Sequence, residues 1–208
     1  MKQKILLALV VLFAMQTLCW AESKSTISFS WALLYRNKGG TISSMDVAKN
    51  LSVYSGDSLR IMIKPKDAYV YLFYQDSSGD LSLIYPIPVY NHKIGTLSYV
   101  PSEKEWYEFD RNKGTETLYL LASKKRLLDL EQITKKYLDA QAKDKGDLES
   151  SVLAEIKNIR KANSSFTTSA EKSVSVIGSF RGKPSSEVLA TEITAESFYG
   201  KTIRIEHK

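Results

Sequence analysis

Two histidines, His92 in mid-chain and His207 next to the carboxyl end, are the side chains best suited to act as bases at neutral pH. Serine is abundant, so a Ser–His–Asp arrangement through His92 is formally available. However, the sequence contains no Gly-x-Ser-x-Gly turn to present a nucleophile. We therefore predict no catalytic residue and no enzyme, and a hydrolase using His92 is the less favoured alternative.

Metal ligands are equally scarce. The chain has a single cysteine, Cys19, and lacks a His-Glu-x-x-His sequence, so no zinc site is predicted. Asp76 and Asp80 place carboxylates in one short loop, but without the Asp-x-Asp-x-Asp-Gly spacing and the distal glutamate of a calcium loop. The sequence predicts a plain hairpin turn there, and no metal or cofactor.

Aromatic and acidic residues alternate near position 106. Glu105 and Glu108 flank Trp106 and Tyr107, a mixture that is found in sugar-binding clefts. A strand with a polar outer face and an aromatic inner face has the same composition, and a pair of carboxylates alone does not make a glycosidase. Carbohydrate binding is therefore an alternative to protein binding.

The predicted binding surface consists of two loops, Pro86 to Gly95 and Ser102 to Trp106. Their amphipathic side chains and those of their immediate neighbours combine an apolar body with a polar tip, the type that binds partners or ligands. The predicted ligand- or partner-binding residues are Tyr85, Tyr90, His92, Trp106 and Tyr107.

The first residues have the build of a secretory signal peptide. Two lysines precede an almost wholly apolar run from Ile5 to Leu18, which is too short to span a bilayer. Cys19 and Ala21 offer small residues at the −3 and −1 positions of a cleavage site. We expect cleavage after residue 21, an exported periplasmic or secreted protein without an integral membrane segment, and no lipid on Cys19.

Removal of residues 1–21 also lowers the net charge from +6 to +4, because two lysines are lost. The remaining charges lie in mixed segments, so they are expected to face solvent, and no nucleic-acid partner is predicted. The remaining chain can bury a sizeable core without disulfides. It contains no repeat or long linker, so residues 22–208 are predicted to form a single domain.

Alternating apolar residues predict a mainly β structure. The period is two in the segments beginning at Ile27, Leu59 and Leu81. Between Tyr69 and Tyr74 both alternating sets are apolar, which predicts a strand covered on both faces. Gly79 can supply the turn to a partner strand, so this tyrosine-rich stretch is predicted to be a core hairpin with its hydroxyls at the rim.

Further strands are expected at residues 95–100, 105–110, 114–123, 173–180 and 201–207, seven to nine in all. The period changes at Asp129, where a capping box with Gln132 and a staple between Leu128 and Ile133 predict a helix start. Apolar residues at helical spacing continue through Tyr137 and Leu138, and a second helix is expected from about Leu148. The apolar positions expected to face the protein in that helix are Val152, Ile156 and Ile159.

These elements predict an α+β, mainly β fold. It is an antiparallel β-sandwich, immunoglobulin-like or related, with an αα-hairpin inserted at about residues 129–163.

An ordered set of short motifs runs from about residue 52 to residue 126. A Gly-Asp pair precedes a strand, and an aromatic hairpin, two proline-ended segments and a closing strand follow. They are Gly56-Asp57, Tyr69 to Gly79, Ile84-Tyr85-Pro86, Val100-Pro101 and Gly114 to Ser123. In this order the segment resembles the bacterial domain of unknown function DUF4384. The resemblance implies a β-rich accessory module of envelope or secreted proteins, and it carries no catalytic residues.

Taken together, the sequence predicts an exported, non-catalytic binding or scaffold module that acts through protein–protein contacts. The expected partner is an envelope protein or a glycan. A carbohydrate-binding module is the main alternative.

Overall fold

The computed structural model describes residues 26–164, 169–176 and 188–208. The signal peptide predicted for residues 1–21, with Cys19, and the end of the strand predicted at residues 173–180 lie outside these ranges. The described residues form two helices and twelve strands, more than the seven to nine strands expected. The strands of one sheet are β1 (Ile27–Arg36), β2 (Ile42–Met45), β4 (Ser58–Pro65), β7 (Ser98–Val100), β8 (Tyr107–Glu108), β10 (Ser169–Val176) and β11 (Val188–Ala195).

The second sheet contains β3 (Leu51–Val53), β5 (Tyr69–Gln75), β6 (Leu81–Tyr85), β9 (Gly114–Ser123) and β12 (Phe198–His207). Its order is β3-β12-β9-β5-β6, and the path through the seven-stranded sheet is β10-β11-β1-β4-β7. Neighbouring strands are antiparallel except β3 and β12, which run parallel. Side chains of both sheets meet in one apolar core that includes Trp31, Ile61, Leu72, Leu118 and Ile205. The predicted β-sandwich is confirmed.

The tyrosine-rich hairpin is built as its double-sided apolar pattern predicts. Val70 and Leu72 face the core between the sheets, whereas Tyr71 and Phe73 face a second apolar cluster under the helices. Gly79 closes the turn with a φ of 96°, which a residue with a side chain rarely adopts. The expectation that the hydroxyls reach the rim is wrong for Tyr71. Its side chain is fully buried because the helices cover this face of the sheet.

The αα-hairpin consists of α1 (Leu128–Asp139) and α2 (Ala142–Ala162). Leu130, Tyr137, Val152 and Ile156 are buried against the outer face of the five-stranded sheet. The predicted stripe is therefore correct except at Leu138, which is 51% exposed.

Both predicted helix starts need correction. Helix α1 begins at Leu128 without a side-chain cap, so the predicted capping box does not form, and the exposed Leu128 makes no staple. Its start is held instead by a hydrogen bond to the sheet, in which the Leu127 amide donates to the Tyr71 hydroxyl at 2.9 Å. Helix α2 begins at Ala142, six residues before the predicted Leu148, and includes the polar segment that was expected to be a connection.

In residues 26–164, 169–176 and 188–208, neither helix combines the length and the hydropathy that a membrane crossing requires.

Candidate binding surface

The connection between β6 and β7, residues 86–97, exposes four large apolar side chains. Ile87 is 66% exposed, Tyr90 58%, Ile94 45% and Leu97 41%. We call this segment the 86–97 loop. It contains the predicted residues Tyr90 and His92 and directly follows Tyr85.

Three contacts fix the 86–97 loop to the sandwich. Val89 is buried in the cluster under the helices, and the Gly95 amide donates to the Pro65 carbonyl at 2.7 Å. His92 Nε2 lies 3.1 Å from Glu131 Oε1 in α1. Anchored positions therefore alternate with exposed ones, so the apolar side chains are presented by a backbone that is already held in place.

Glu131 is a buried carboxylate with several partners. Arg126 Nε lies 3.1 Å from both carboxylate oxygens, and the guanidinium makes a further contact to Oε2. The Tyr71 hydroxyl donates to Oε1 at 2.6 Å. Burial alone would raise the pKa of Glu131, but the hydrogen bonds from Arg126, Tyr71 and His92 hold it below its ordinary value. The carboxylate is therefore ionised at neutral pH.

The imidazole of His92 is a buried anchor. Its side chain is 6% exposed and lies edge-on to the rings of Tyr69 and Tyr71, with centroid distances of 5.0 and 4.8 Å. Burial lowers the pKa of His92, although Glu131 acts in the opposite direction, so the ring is neutral at neutral pH. In this neutral ring the hydrogen is on Nε2, which donates to Glu131. The buried Nδ1 atom has no hydrogen-bond partner among the described residues.

Tyr85 and Tyr99 line a cleft of about 140 Å³ beside the base of the 86–97 loop. Tyr85 is 6% exposed, and burial raises the pKa of its hydroxyl, opposed by the Ser98 side chain and the Lys93 backbone. Tyr85 thus supports the loop from below and offers little surface to a partner.

Trp106 and Tyr107 belong to a different region. The half-buried Trp106 packs on Ala32, Leu34 and Met62 at the outer face of the seven-stranded sheet. The guanidinium carbons of Arg60 and Arg36 lie 4.1 and 4.8 Å from its ring centroid.

Tyr107 in β8, which is 38% exposed, pairs with Leu59 in β4. The five predicted site residues therefore lie in two separate regions, Tyr85, Tyr90 and His92 in one and Trp106 and Tyr107 in the other. The ring of Trp106 already contacts two arginines of its own chain.

A separate polar cluster joins strand β12 to the turn before β4. It was not predicted from the sequence. Ser55 Oγ lies 3.1 Å from His207 Nε2, and His207 Nδ1 lies 3.3 Å from Glu116 Oε1. The Tyr74 hydroxyl donates to the other Glu116 oxygen, and burial raises the pKa of Tyr74. The alternation of Ile203, Ile205 and His207 could have indicated that this histidine points inward.

The Ser55–His207–Glu116 connectivity is that of a nucleophile, a base and an orienting carboxylate. Its surroundings suit a structural role better. The His207 side chain is 0% exposed, and the Gly56 amide next to Ser55 already donates to the Phe109 carbonyl at 2.8 Å. That amide is therefore not available to stabilise an oxyanion.

Asp76 and Asp80 form the hairpin turn expected from their spacing. Asp76 Oδ1 accepts hydrogen bonds from the Ser78 and Asp80 amides, each at 2.9 Å. Within the described ranges, no three histidine, cysteine, aspartate or glutamate side chains are grouped so that they could hold a metal ion.

Part of the chain matches a known protein family. Residues 52–126 match the family model described as Domain of unknown function (DUF4384). This confirms the resemblance found in the sequence. The matched DUF4384 segment runs from β3 through β9, so it includes the whole 86–97 loop, whereas both helices follow it. No curated protein and no solved structure matches the chain.

Proposed function

We propose that the chain is an exported, non-catalytic binding module of the bacterial cell envelope, which contacts a protein partner through the 86–97 loop. One observation carries the proposal: Ile87, Tyr90, Ile94 and Leu97 are exposed on a loop that Val89, His92 and Gly95 hold in place. Export rests on the signal-peptide pattern of residues 1–21.

The chemistry of the loop favours a protein surface as the partner. Aliphatic and aromatic side chains placed close together lose water when they bind, and tyrosine is enriched among residues that dominate binding energies. Because the loop is anchored, little conformational freedom remains to be lost on binding.

A glycan is the second candidate partner, since Tyr90 exposes an aromatic ring on which a sugar could stack. The carbohydrate alternative also involved Trp106 and Tyr107. Of these, Trp106 is half-buried and in contact with Arg36 and Arg60, and Tyr107 is 38% exposed. A stacking site formed by Tyr90 and Trp106 together is therefore disfavoured, and a protein partner is preferred.

The Ser55–His207–Glu116 geometry suggests a hydrolase as the alternative function. A fluorophosphonate probe, which labels activated serines, distinguishes the two functions. We expect no labelling of Ser55. Labelling that disappears in both Ser55→Ala and His207→Asn would replace the binding proposal with an enzymatic one.

Capture from the solubilised envelope of the native host tests the binding proposal. Immobilised protein that begins at Glu22 is compared with the Ile87→Ser/Tyr90→Ser variant. The control is Tyr54→Ser, because Tyr54 is 58% exposed, the same fraction as Tyr90. We expect one protein to be retained at least about tenfold less by the loop variant and unchanged by the control. Equal retention by all three proteins would refute the proposed surface, and retention of a glycan alone would favour the carbohydrate alternative.

A further inference from the structure

We propose that a groove on the outer side of the five-stranded sheet binds a phosphate group. The groove has a volume of about 450 Å³ and lies between the segment that precedes β3, the end of α2 and strand β12. These elements differ from those that carry the 86–97 loop, so this inference goes beyond the proposed function and does not depend on it. We call this site the basic groove.

The polar lining of the basic groove consists of hydrogen-bond donors of the kind that bind anions. Lys49, Arg160 and Arg204 are cationic, and Asn50 and Thr202 add neutral donors. Among the described residues that line the groove, none is a carboxylate. Val47 and Ile203 complete the lining with apolar surface.

Phosphate matches this set of donors better than a single carboxylate. A phosphomonoester carries about −1.5 to −2 charges and three acceptor oxygens at neutral pH. Arginine presents paired N–H groups in a planar fork that binds two such oxygens at once, and lysine adds a point charge. Two arginines and one lysine can therefore balance the full charge of one phosphate group.

Part of the site is already oriented. Arg160 Nη1 donates to Thr202 Oγ1 at 2.6 Å, which fixes the end of this side chain against β12. Asn163 Nδ2 donates to the Ile159 carbonyl at 2.8 Å, so one carbonyl at the end of α2 is satisfied and contributes less negative potential nearby. The contact between Arg160 and Thr202 reduces the ordering that a bound anion would require.

The acidic side chains near the basic groove do not cancel its positive charge. Lys49 Nζ lies 3.2 Å from Asp46, but the side chains are 76% and 54% exposed, so this ion pair is weak and Lys49 is free to turn. Glu206, the next acidic residue on the face of β12 that carries Arg204, accepts a hydrogen bond from Thr115 at 3.3 Å. The ammonium group of Lys201 is paired with Glu171.

The phosphate could belong to a soluble phosphomonoester or to a lipid headgroup at the membrane surface. Two titrations of the chain that begins at Glu22 distinguish these sources. In one, inorganic phosphate and glycerol phosphate are added and binding is measured by calorimetry. The other uses vesicles that contain phosphatidic acid, a lipid whose headgroup is a phosphomonoester, with phosphatidylcholine vesicles for comparison.

The test variant is Arg160→Gln/Arg204→Gln, and the control is Arg111→Gln, which changes an exposed loop arginine that does not line the groove. Circular dichroism and the melting temperature verify that each variant is folded. We expect saturable binding in at least one titration, weakened about tenfold or more by the double substitution and unchanged by Arg111→Gln. Saturation by the soluble phosphates identifies a soluble ligand, and binding confined to phosphatidic acid vesicles identifies a headgroup. The absence of saturation in both titrations, or equal weakening by the control, would overturn the proposal.

Discussion

The αα-hairpin buries the outer face of the five-stranded sheet, whereas a loop residue, Trp106, covers part of the outer face of the seven-stranded sheet. Under the helices lies a buried carboxylate, Glu131, with an arginine, a tyrosine and a histidine as partners. Over the other sheet lie two guanidinium groups near the Trp106 ring.

The comparison shows two ways of placing charge against an apolar surface. Glu131 is almost fully buried and is stable as a charge only because its oxygens are hydrogen-bonded. The arginines near Trp106 interact instead with an aromatic ring that keeps contact with water, which demands less exact geometry. Substitutions under the helices are therefore expected to cost more stability than substitutions at Trp106.

Glu131→Gln is expected to have the largest effect. It removes the charge that Arg126 and His92 face, and an amide cannot accept all of their hydrogen bonds. We expect the free energy of unfolding to fall by about 3 kcal/mol, measured by urea denaturation. Glu105→Gln, the same change at an exposed position, should alter it by less than about 0.5 kcal/mol. A similar decrease in the free energy of unfolding for both variants would show that the contacts of Glu131 contribute little to stability.

Trp106→Ala is expected to have a smaller effect. It uncovers Leu34 and Met62 and removes the ring that the guanidinium groups contact. Because Trp106 is half-buried, the loss should be about 2 kcal/mol, less than for a fully buried tryptophan. Trp106→Phe retains a ring and should restore part of this loss in the same denaturation experiment. If Trp106→Ala were more destabilising than Glu131→Gln, the ranking of the two faces would be wrong.

The smallest effect concerns pH. Burial keeps the pKa of His92 below its ordinary value of 6.5, so the unfolded chain binds this proton more readily than the folded chain. The resulting contribution to stability is present above pH 6.5 and is lost as the pH falls below it. The melting temperature should therefore drop between pH 7.5 and 5.5 in the parent protein, and His92→Gln should reduce that drop. An equal or steeper drop in His92→Gln would exclude His92 as its source.

The sequence predicted the strands whose side chains have a clear period. The double-sided pattern at residues 69–74 correctly indicated a strand between two apolar layers, and the strand predicted at residues 114–123 is β9. Strands β2 and β3 were missed because four and three residues are too few to show a period. Strand β11 was missed because threonine and alanine occupy positions where larger apolar residues would have marked the buried face.

The candidate site was less predictable because its contacts join distant parts of the chain. His92 and Glu131 are 39 residues apart, and Ser55 and His207 are 152 residues apart. Neither pair leaves a local spacing that a sequence pattern could reveal. The exposure of Tyr90 was expected from its loop, whereas the burial of Tyr85 depends on how the two sheets pack. The arginine contacts of Trp106 depend on how its loop lies over β1 and β4 of one sheet.

Photo-crosslinking in the native host tests the central claim most directly. A photoreactive phenylalanine analogue is placed at position 90 in the 86–97 loop and, in a second protein, at the equally exposed position 54. We predict a discrete crosslinked protein from position 90 that is absent from position 54 and is lost when Ile87→Ser is introduced. Crosslinks of equal yield from both positions, or from position 54 alone, would contradict the claim that this loop is the binding surface.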